Sequence, residues 1–273
     1  MQYYINGEFI NSSKANIPFN DAGFLYGDGL FETMRFDNKK IFSYDNHINR
    51  LFKGLKVIDL KIPDNKKSIL KLLNKVIHIN DIKSGIIRLM ITRGNSDQNS
   101  SLFHIPCVYI SIKPFYSIPV NPVRVIYLDE TKYPIIRFTP AIKSMNYIGN
   151  MLAKRDCDDM GGYEPIFYNQ NKVITECAIR NIFYIKENTL YTPTLDLGIL
   201  SGVMRETILD IAKYLDMKIL ENYIEYDKVN SMDEAFISST GIGLLPCYWD
   251  NWESKYNRTN IIKKELFKRI KNS

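Results

Sequence analysis

The 273-residue chain is poor in the residues that build metal centres and covalent cross-links. It has three histidines, His47, His78 and His104, which leaves little support for a His-rich metal site or a Ser-His-Asp triad. Its four cysteines, Cys107, Cys157, Cys177 and Cys247, are scattered without a C-x-x-C pair, so neither a zinc site nor a disulfide framework is expected. No metal is expected at all. No apolar run approaches the roughly 18 residues that a membrane span needs. The start, Met1 to Phe9, alternates like a strand and turns at Asn6-Gly7; it lacks the basic start and apolar centre of a signal peptide. A cytoplasmic protein without a membrane partner is expected. Internal repeats and low-complexity segments are absent.

A strong charge of one sign is missing as well. The formal net charge of +6 is spread along the chain, with one cluster at Lys263, Lys264, Lys268, Arg269 and Lys271. That cluster reads as the solvated face of a terminal helix rather than as a nucleic-acid surface. The mild basicity suits a small anionic substrate. The hydrophobic fraction of 45% supports a well-filled interior, and the length suggests about two domains.

Periodicity predicts strands over 2–10, 29–37 and 40–43, helices over 47–60 and 64–78, and strands over 85–93 and 105–113. Pro114, Pro119 and Pro122 cluster around Asn121. This divides the chain into an N-terminal α/β domain (1–117), a linker (118–122) and a C-terminal domain (123–273). The second part opens with a strand over 123–128 and a Pro-rich stretch to Pro140. A helix from about Asn146 to Gly161-Gly162 follows, then strands over 164–169, 172–175, 181–186 and 189–192. A helix over 202–215, strands over 217–220 and 234–238, and a helix from about Asn260 complete it. Mixed short elements in two blocks predict an α/β or α+β architecture with a site between the domains.

Lys143 stands in an uncharged setting, with Ala141-Ile142 before it and Ser144-Met145 after it. A lone lysine is usually a surface residue, but a desolvated one can attack an aldehyde. Glu176, read as a turn residue, follows Val173-Ile174 and precedes the strand Ile182 to Ile185. It is either held by backbone N–H groups or paired with a buried cation such as a pyridinium. Ser201, read as a helix N-cap before Gly202-Val203-Met204, and the run Ser238-Ser239-Thr240-Gly241 are two candidate phosphate sites. Arg50 is either a solvated helix residue or a phosphate ligand. Arg88 lies inside an apolar strand and needs an anion, a substrate carboxylate or an internal acid; alternation puts Arg93 on the other face. A lysine, a carboxylate and a phosphate cradle together are what pyridoxal phosphate requires.

These pieces resemble one family. Gly23-Phe-Leu-Tyr-Gly-Asp-Gly-Leu-Phe-Glu-Thr-Met-Arg35 resembles the N-terminal signature of class IV aminotransferases, the fold-type IV pyridoxal-phosphate enzymes. His47 to Leu51, Lys143 to Tyr147 with Leu152 to Arg155, Thr175 to Phe183, Gly198 to Arg205 and Ser238 to Pro246 resemble its remaining segments, in the family's order. The resemblance implies a homodimer with a small N-terminal α/β domain and a larger barrel-like C-terminal domain. It implies that Lys143 binds the cofactor aldehyde and shuttles a proton. It assigns Glu176 to the ring nitrogen, and Arg50, Val203, Met204 and Thr240 to the phosphate, with Tyr147 also at the cofactor. Many members carry threonine where Met204 stands, so one hydroxyl is lost here.

Within the family, Arg93-Gly94 is followed by Asn-Ser-Asp-Gln-Asn rather than by the Arg-x-His carboxylate trap of the D-amino-acid enzymes. The Ser144-Met-Asn-Tyr147 run differs from the Gly-Gly-Asn-Tyr of branched-chain enzymes, which also place glycine where Thr33 stands. The runs Phe31 to Arg35, Thr175 to Cys177 and Tyr191 to Asp196 look most like 4-amino-4-deoxychorismate lyases. That likeness implies an assisting role for Thr33 in protonation and places Phe31, Arg35, Arg88, Arg93 and Gly241 at the substrate. A transaminase for branched-chain or other amino acids is the alternative, and a basic nucleic-acid-binding module is a third.

Overall fold

A computed structural model of the chain describes residues 1–96 and 104–272. It forms two compact units, Met1–Tyr116 with Ile142–Asn146, and Ser117–Ala141 with Tyr147–Asn272. The segment that carries Lys143 therefore belongs with the first unit, a return that composition and periodicity do not reveal.

The first unit is built on an antiparallel sheet in the order β2-β1-β6-β5-β3-β4. Its strands are β1 (Gln2–Ile5), β2 (Glu8–Asn11), β3 (Gly29–Asp37), β4 (Lys40–Ile41), β5 (Gly85–Ser96) and β6 (His104–Pro114). The run read as strand over 2–10, with its turn at Asn6-Gly7, folds as two paired strands, because Asn6 and Gly7 both take positive φ, the conformation such a tight turn requires. A short helix, α1 (Ala22–Tyr26), precedes β3, and α2 (Tyr44–Val57) and α3 (Lys66–Asn80) follow β4. The start of α3 is set by a capping box between Asn65 and Ser68.

One sheet face is apolar. Leu30, Met34 and Phe36 of β3, Ile87, Leu89 and Ile91 of β5, and Ile110 and Ile112 of β6 pack with Ile48, Leu51 and Leu55 of α2 and with Ile69, Leu73 and Ile77 of α3. Each such side chain contributes roughly 1.5–3 kcal/mol by burial. Alternation turns the intervening residues to the other face, in rows set by the register. Phe31, Met90 and Tyr109 form one row, Thr33, Arg88 and Ser111 the next, and Arg35, Ile86 and Lys113 the third.

The second unit holds a nine-stranded, nearly closed, barrel-like sheet in the order β12-β11-β10-β14-β15-β7-β8-β9-β13. These strands are β7 (Val123–Asp129), β8 (Glu164–Tyr168), β9 (Val173–Cys177), β10 (Asn181–Lys186), β11 (Thr189–Pro193), β12 (Lys218–Asn222), β13 (Ile224–Glu225), β14 (Glu234–Ser239) and β15 (Gly243–Tyr248). Three helices accompany them, α4 (Ile148–Asp159), α5 (Val203–Tyr214) and α6 (Asn257–Asn272). The core includes Val125, Ile166, Ile174, Ile182, Tyr184, Ile237 and Leu245.

Two local readings change. Glu176 is not in a turn: β9 runs on through Cys177, and the chain bends only at 178–180. The strand β15 takes up Gly243 to Pro246 of the Ser238 to Pro246 segment, where no strand is predicted. Pro246 stands opposite Phe236 of β14, and the parallel partner β7 joins only at Cys247 and Tyr248, beyond the proline.

Candidate active site

In the first unit, the Lys143 segment is stitched to the start of β3. The Phe31 N–H donates to the Lys143 carbonyl at 3.0 Å, and the Met145 N–H donates to the Gly29 carbonyl at 3.0 Å. Ser144 pairs with Leu30 as an isolated bridge. This edge is open because β4 pairs only with Phe36 and Asp37, at the far end of β3. Asn146 closes the segment by donating its side-chain N–H to the Gly27 carbonyl at 3.1 Å. Lys143 is half-buried, and its Nζ lies 4.5 Å from the centre of the Phe31 ring. The amine therefore stands on the polar face of the sheet, beside the row that carries Thr33 and Arg88.

Behind Lys143, on the apolar face, sits the carboxylate of Glu32, 1% exposed. Arg50 grips it with two bonds, Nε to Oε1 at 2.8 Å and Nη2 to Oε2 at 2.7 Å, and His47 Nδ1 lies 2.7 Å from Oε2. Burial pushes the Glu32 pKa up, but the Arg50 charge and the His47 and Arg50 hydrogen bonds outweigh it and bring it down to about 2. Burial lowers the His47 pKa, against the pull of Glu32. Arg50 is thus neither a solvated helix residue nor a freestanding one; Glu32 orients its guanidinium. The signal was readable: alternation buries Glu32 with Leu30 and Met34, and a buried acid needs partners such as those at i and i+3 of the next helix.

The three sheet arginines part company. Arg88 is on the open face, with its guanidinium 4.7 Å over the Phe31 ring and Nε 3.4 Å from the Thr33 hydroxyl. Arg35, 7% exposed, stacks over Phe115 at 4.8 Å, and its Nε has no hydrogen-bond partner among the described residues. Arg93 is committed elsewhere. It forms a two-bond pair with Asp28 at 2.6 and 3.2 Å and donates to the carbonyls of Ile58 and Asp59. Of the run read as lacking a carboxylate trap, Asp97, Gln98 and Asn99 lie outside the described residues.

In the second unit, Glu176 is half-buried and accepts from Arg137 Nη1 at 2.5 Å and from the Leu200 N–H at 3.4 Å. Sequence reasoning missed Arg137. Its signal was the one used for Arg88, an arginine among apolar neighbours, here Ile135, Ile136 and Phe138.

The helix α5 begins at an N-cap formed by Gly202 without any side-chain cap bond; Ser201 instead donates its hydroxyl to Glu206 at 2.9 Å. The cap expected at Ser201 therefore moves one residue on. A Cβ on Gly202 would lie 2.2 Å from Asn181 Oδ1, and Asn181 in turn donates to Ser238 at its carbonyl and hydroxyl. The turn from β14 to β15, with Thr240 and buried Gly241, follows directly. Val203 and Met204 are buried with their N–H groups in the first turn of α5. Tyr147 is half-buried at the N-cap of α4.

Each unit, taken by itself, supplies groups of the kind that pyridoxal phosphate needs. An amine stands over an aromatic ring. A carboxylate is paired with arginine inside a strand. The start of α5 has no side-chain cap, and its N-cap is a glycine packed so closely on Asn181 that a Cβ would collide with it. Among the described residues, no group of His, Cys, Asp and Glu could hold a metal, and no helix is long and apolar enough to cross a membrane.

The family model for amino-transferase class IV matches residues 29–248. The chain is 33% identical to the aminodeoxychorismate lyase of Bacillus subtilis over 254 residues, covering 89% of this chain and 84% of that protein. It is 31% identical to the D-alanine aminotransferase of Listeria innocua over 250 residues, covering 90% and 86%. The fold is shared with the branched-chain aminotransferase of Thermoproteus uzoniensis at a TM-score of 0.90 and 24% identity, over 99% of this chain and 94% of that one. The reading as a nucleic-acid-binding module is displaced by this relationship. The chain belongs to the class IV aminotransferases, the pyridoxal-phosphate-dependent enzymes of fold type IV.

Proposed function

We propose that the protein is a 4-amino-4-deoxychorismate lyase, releasing pyruvate and 4-aminobenzoate for folate biosynthesis. The observation that carries this reading is the pairing of Thr33 with Arg88 on the sheet face where the Lys143 amine stands. Pyridoxal phosphate, when bound, supplies a protonated pyridine ring that draws electrons from the amine-bearing carbon.

Lys143 would hold the cofactor through its aldehyde group, and the Lys143 amine, when free, would take the proton from the substrate's amine-bearing carbon. Thr33 would carry the hydroxyl through which a proton, matching the one lost from the amine-bearing carbon, reaches the departing enolpyruvyl group, which leaves as pyruvate while the ring becomes aromatic. Glu176 serves the ring nitrogen. Arg50, the N–H groups of Val203 and Met204, and Thr240 serve the phosphate, with Tyr147 beside the cofactor.

The substrate carries two carboxylates, and the open face offers cations for them. Arg88 takes one and Arg35, whose buried Nε lacks a partner among the described residues, takes the other. Phe31 forms the floor between them and Lys143, and Gly241 is a further substrate contact. Arg93, tied to Asp28 and two carbonyls, holds the scaffold. The exposed Phe19, Phe24 and Tyr26 of the first unit support a homodimer, which light scattering tests.

The test is to incubate the purified protein with aminodeoxychorismate and measure pyruvate and 4-aminobenzoate. Stoichiometric release of both is expected. No pyruvate, together with glutamate formed from 2-oxoglutarate and leucine or D-alanine, rejects the lyase. The second reading, a transaminase, draws its support from the similarly close D-alanine aminotransferase.

A further inference from the structure

Arg137 lies between two carboxylates of the second unit. Nη1 donates to Glu176 Oε1 at 2.5 Å and Nη2 to Glu130 Oε2 at 2.7 Å. Thr175 completes the cluster: its hydroxyl donates to the same Glu130 oxygen at 2.8 Å and accepts from Arg137 Nη2 at 3.2 Å. The exposures of Arg137, Glu130 and Glu176 are 21%, 18% and 23%, so charge is only partly screened by solvent. Burial works to lower the Arg137 pKa, and Glu176 and Glu130 more than offset it. One guanidinium thus serves two acids, and the cluster carries a net charge of −1.

We propose that Glu130 is a positioning residue: by sharing Arg137 it leaves Glu176 with an unneutralised negative charge with which to hold the proton on the cofactor's ring nitrogen. The proposal rests on the assignment of Glu176 to that nitrogen. An isolated Arg–Glu pair is neutral and presents little field to a pyridinium, whereas a triad with a second carboxylate presents one negative charge. Thr175 fixes the Glu130 carboxylate toward Arg137, so the shared geometry is maintained from β9 itself.

The test uses holoenzyme loaded with ring-nitrogen-labelled pyridoxal phosphate, titrated with base and followed by heteronuclear NMR. Four proteins are compared: wild type, Glu130→Gln, Glu130→Asp and Glu176→Gln. In Glu130→Gln the nitrogen loses its proton at a pH about one unit lower than in wild type. Glu176→Gln shifts it further in the same direction, and Glu130→Asp, which keeps the charge, stays near wild type. A purely structural role for Glu130 moves the melting temperature and leaves the nitrogen midpoint alone. If Glu130→Gln matches wild type while Glu176→Gln shifts, the proposal fails and the Glu176 assignment stands. If Glu176→Gln leaves the midpoint unmoved, both fail. If Glu130→Asp shifts as far as Glu130→Gln, contact geometry rather than charge is responsible and the proposal is overturned.

Discussion

Phe31 meets Lys143 twice, through a backbone hydrogen bond of 3.0 Å to the lysine carbonyl and through its ring, 4.5 Å beneath the amine. The backbone contact fixes where the lysine starts, and the ring limits where its end can go. Replacing Lys143 with alanine is expected to abolish covalent retention of pyridoxal phosphate. Turnover should fall by roughly 10²–10⁴-fold or more. Absorption spectra after gel filtration and borohydride treatment check the first outcome, and steady-state pyruvate release checks the second.

Gly202 tests the phosphate end. A methyl group there meets Asn181 Oδ1 at 2.2 Å, a separation that forces either the helix start or Asn181 to move. Gly202→Ala is expected to weaken cofactor binding by about tenfold or more, the equivalent of one good hydrogen bond to an anion. Pairing it with Asn181→Gly should recover part of the loss. Equilibrium dialysis of the cofactor against each variant measures both.

Arg88 and Arg35 test substrate charge. Arg88→Met and Arg35→Met should each raise the KM for aminodeoxychorismate by roughly 10- to 100-fold, as expected for a lost charge-assisted contact. Retention of pyridoxal phosphate should be unchanged in both. Steady-state kinetics beside cofactor absorbance separates the two effects; loss of cofactor in either variant would contradict the assignment.

The Glu32 carboxylate makes the first unit acid-sensitive. Its pKa is lowered from 4.5 to about 2, so its contribution is complete above pH 4.5 and is lost as the pH falls toward 2. The amount is on the order of 3 kcal/mol. His47, lowered from 6.5 by burial, adds to the same trend, since only the unfolded chain takes up that proton just below pH 6.5. Urea midpoints measured from pH 8 to pH 3 should fall in two steps. In Glu32→Gln the lower step should shrink, leaving what the other lowered carboxylates, Asp81, Asp129 and Asp250, contribute.

Much of this arrangement was legible in the residue pattern. Period two along Gly85 to Arg93 puts Arg88 and Arg93 on opposite faces of their strand, whereas Phe31 and Thr33 are placed beside Arg88 only through the family resemblance. Short-range signals also sufficed for the hairpin at Asn6-Gly7. What escaped notice depends on partners far apart in sequence. Nothing near Arg137 announces that it will meet Glu176, 39 residues on. Arg93 looked available until Asp28, 65 residues earlier, was found to hold it. The N-cap at Gly202 was misplaced by one residue because Ser201, a good capping side chain, is drawn to Glu206 instead.

The patch that Lys143, Ser144 and Met145 supply to the edge of β3 reaches the first unit more than a hundred residues after that strand was made. During synthesis, therefore, residues 1–116 emerge with this margin of their sheet bare, and they gain the reactive amine only after the chain has passed through residues 117–141. A fragment cut at the linker would keep the arginines of the sheet but lack the nucleophile. A permuted gene that joined residues 142–146 directly to the segment before β3 would let that half acquire its amine early.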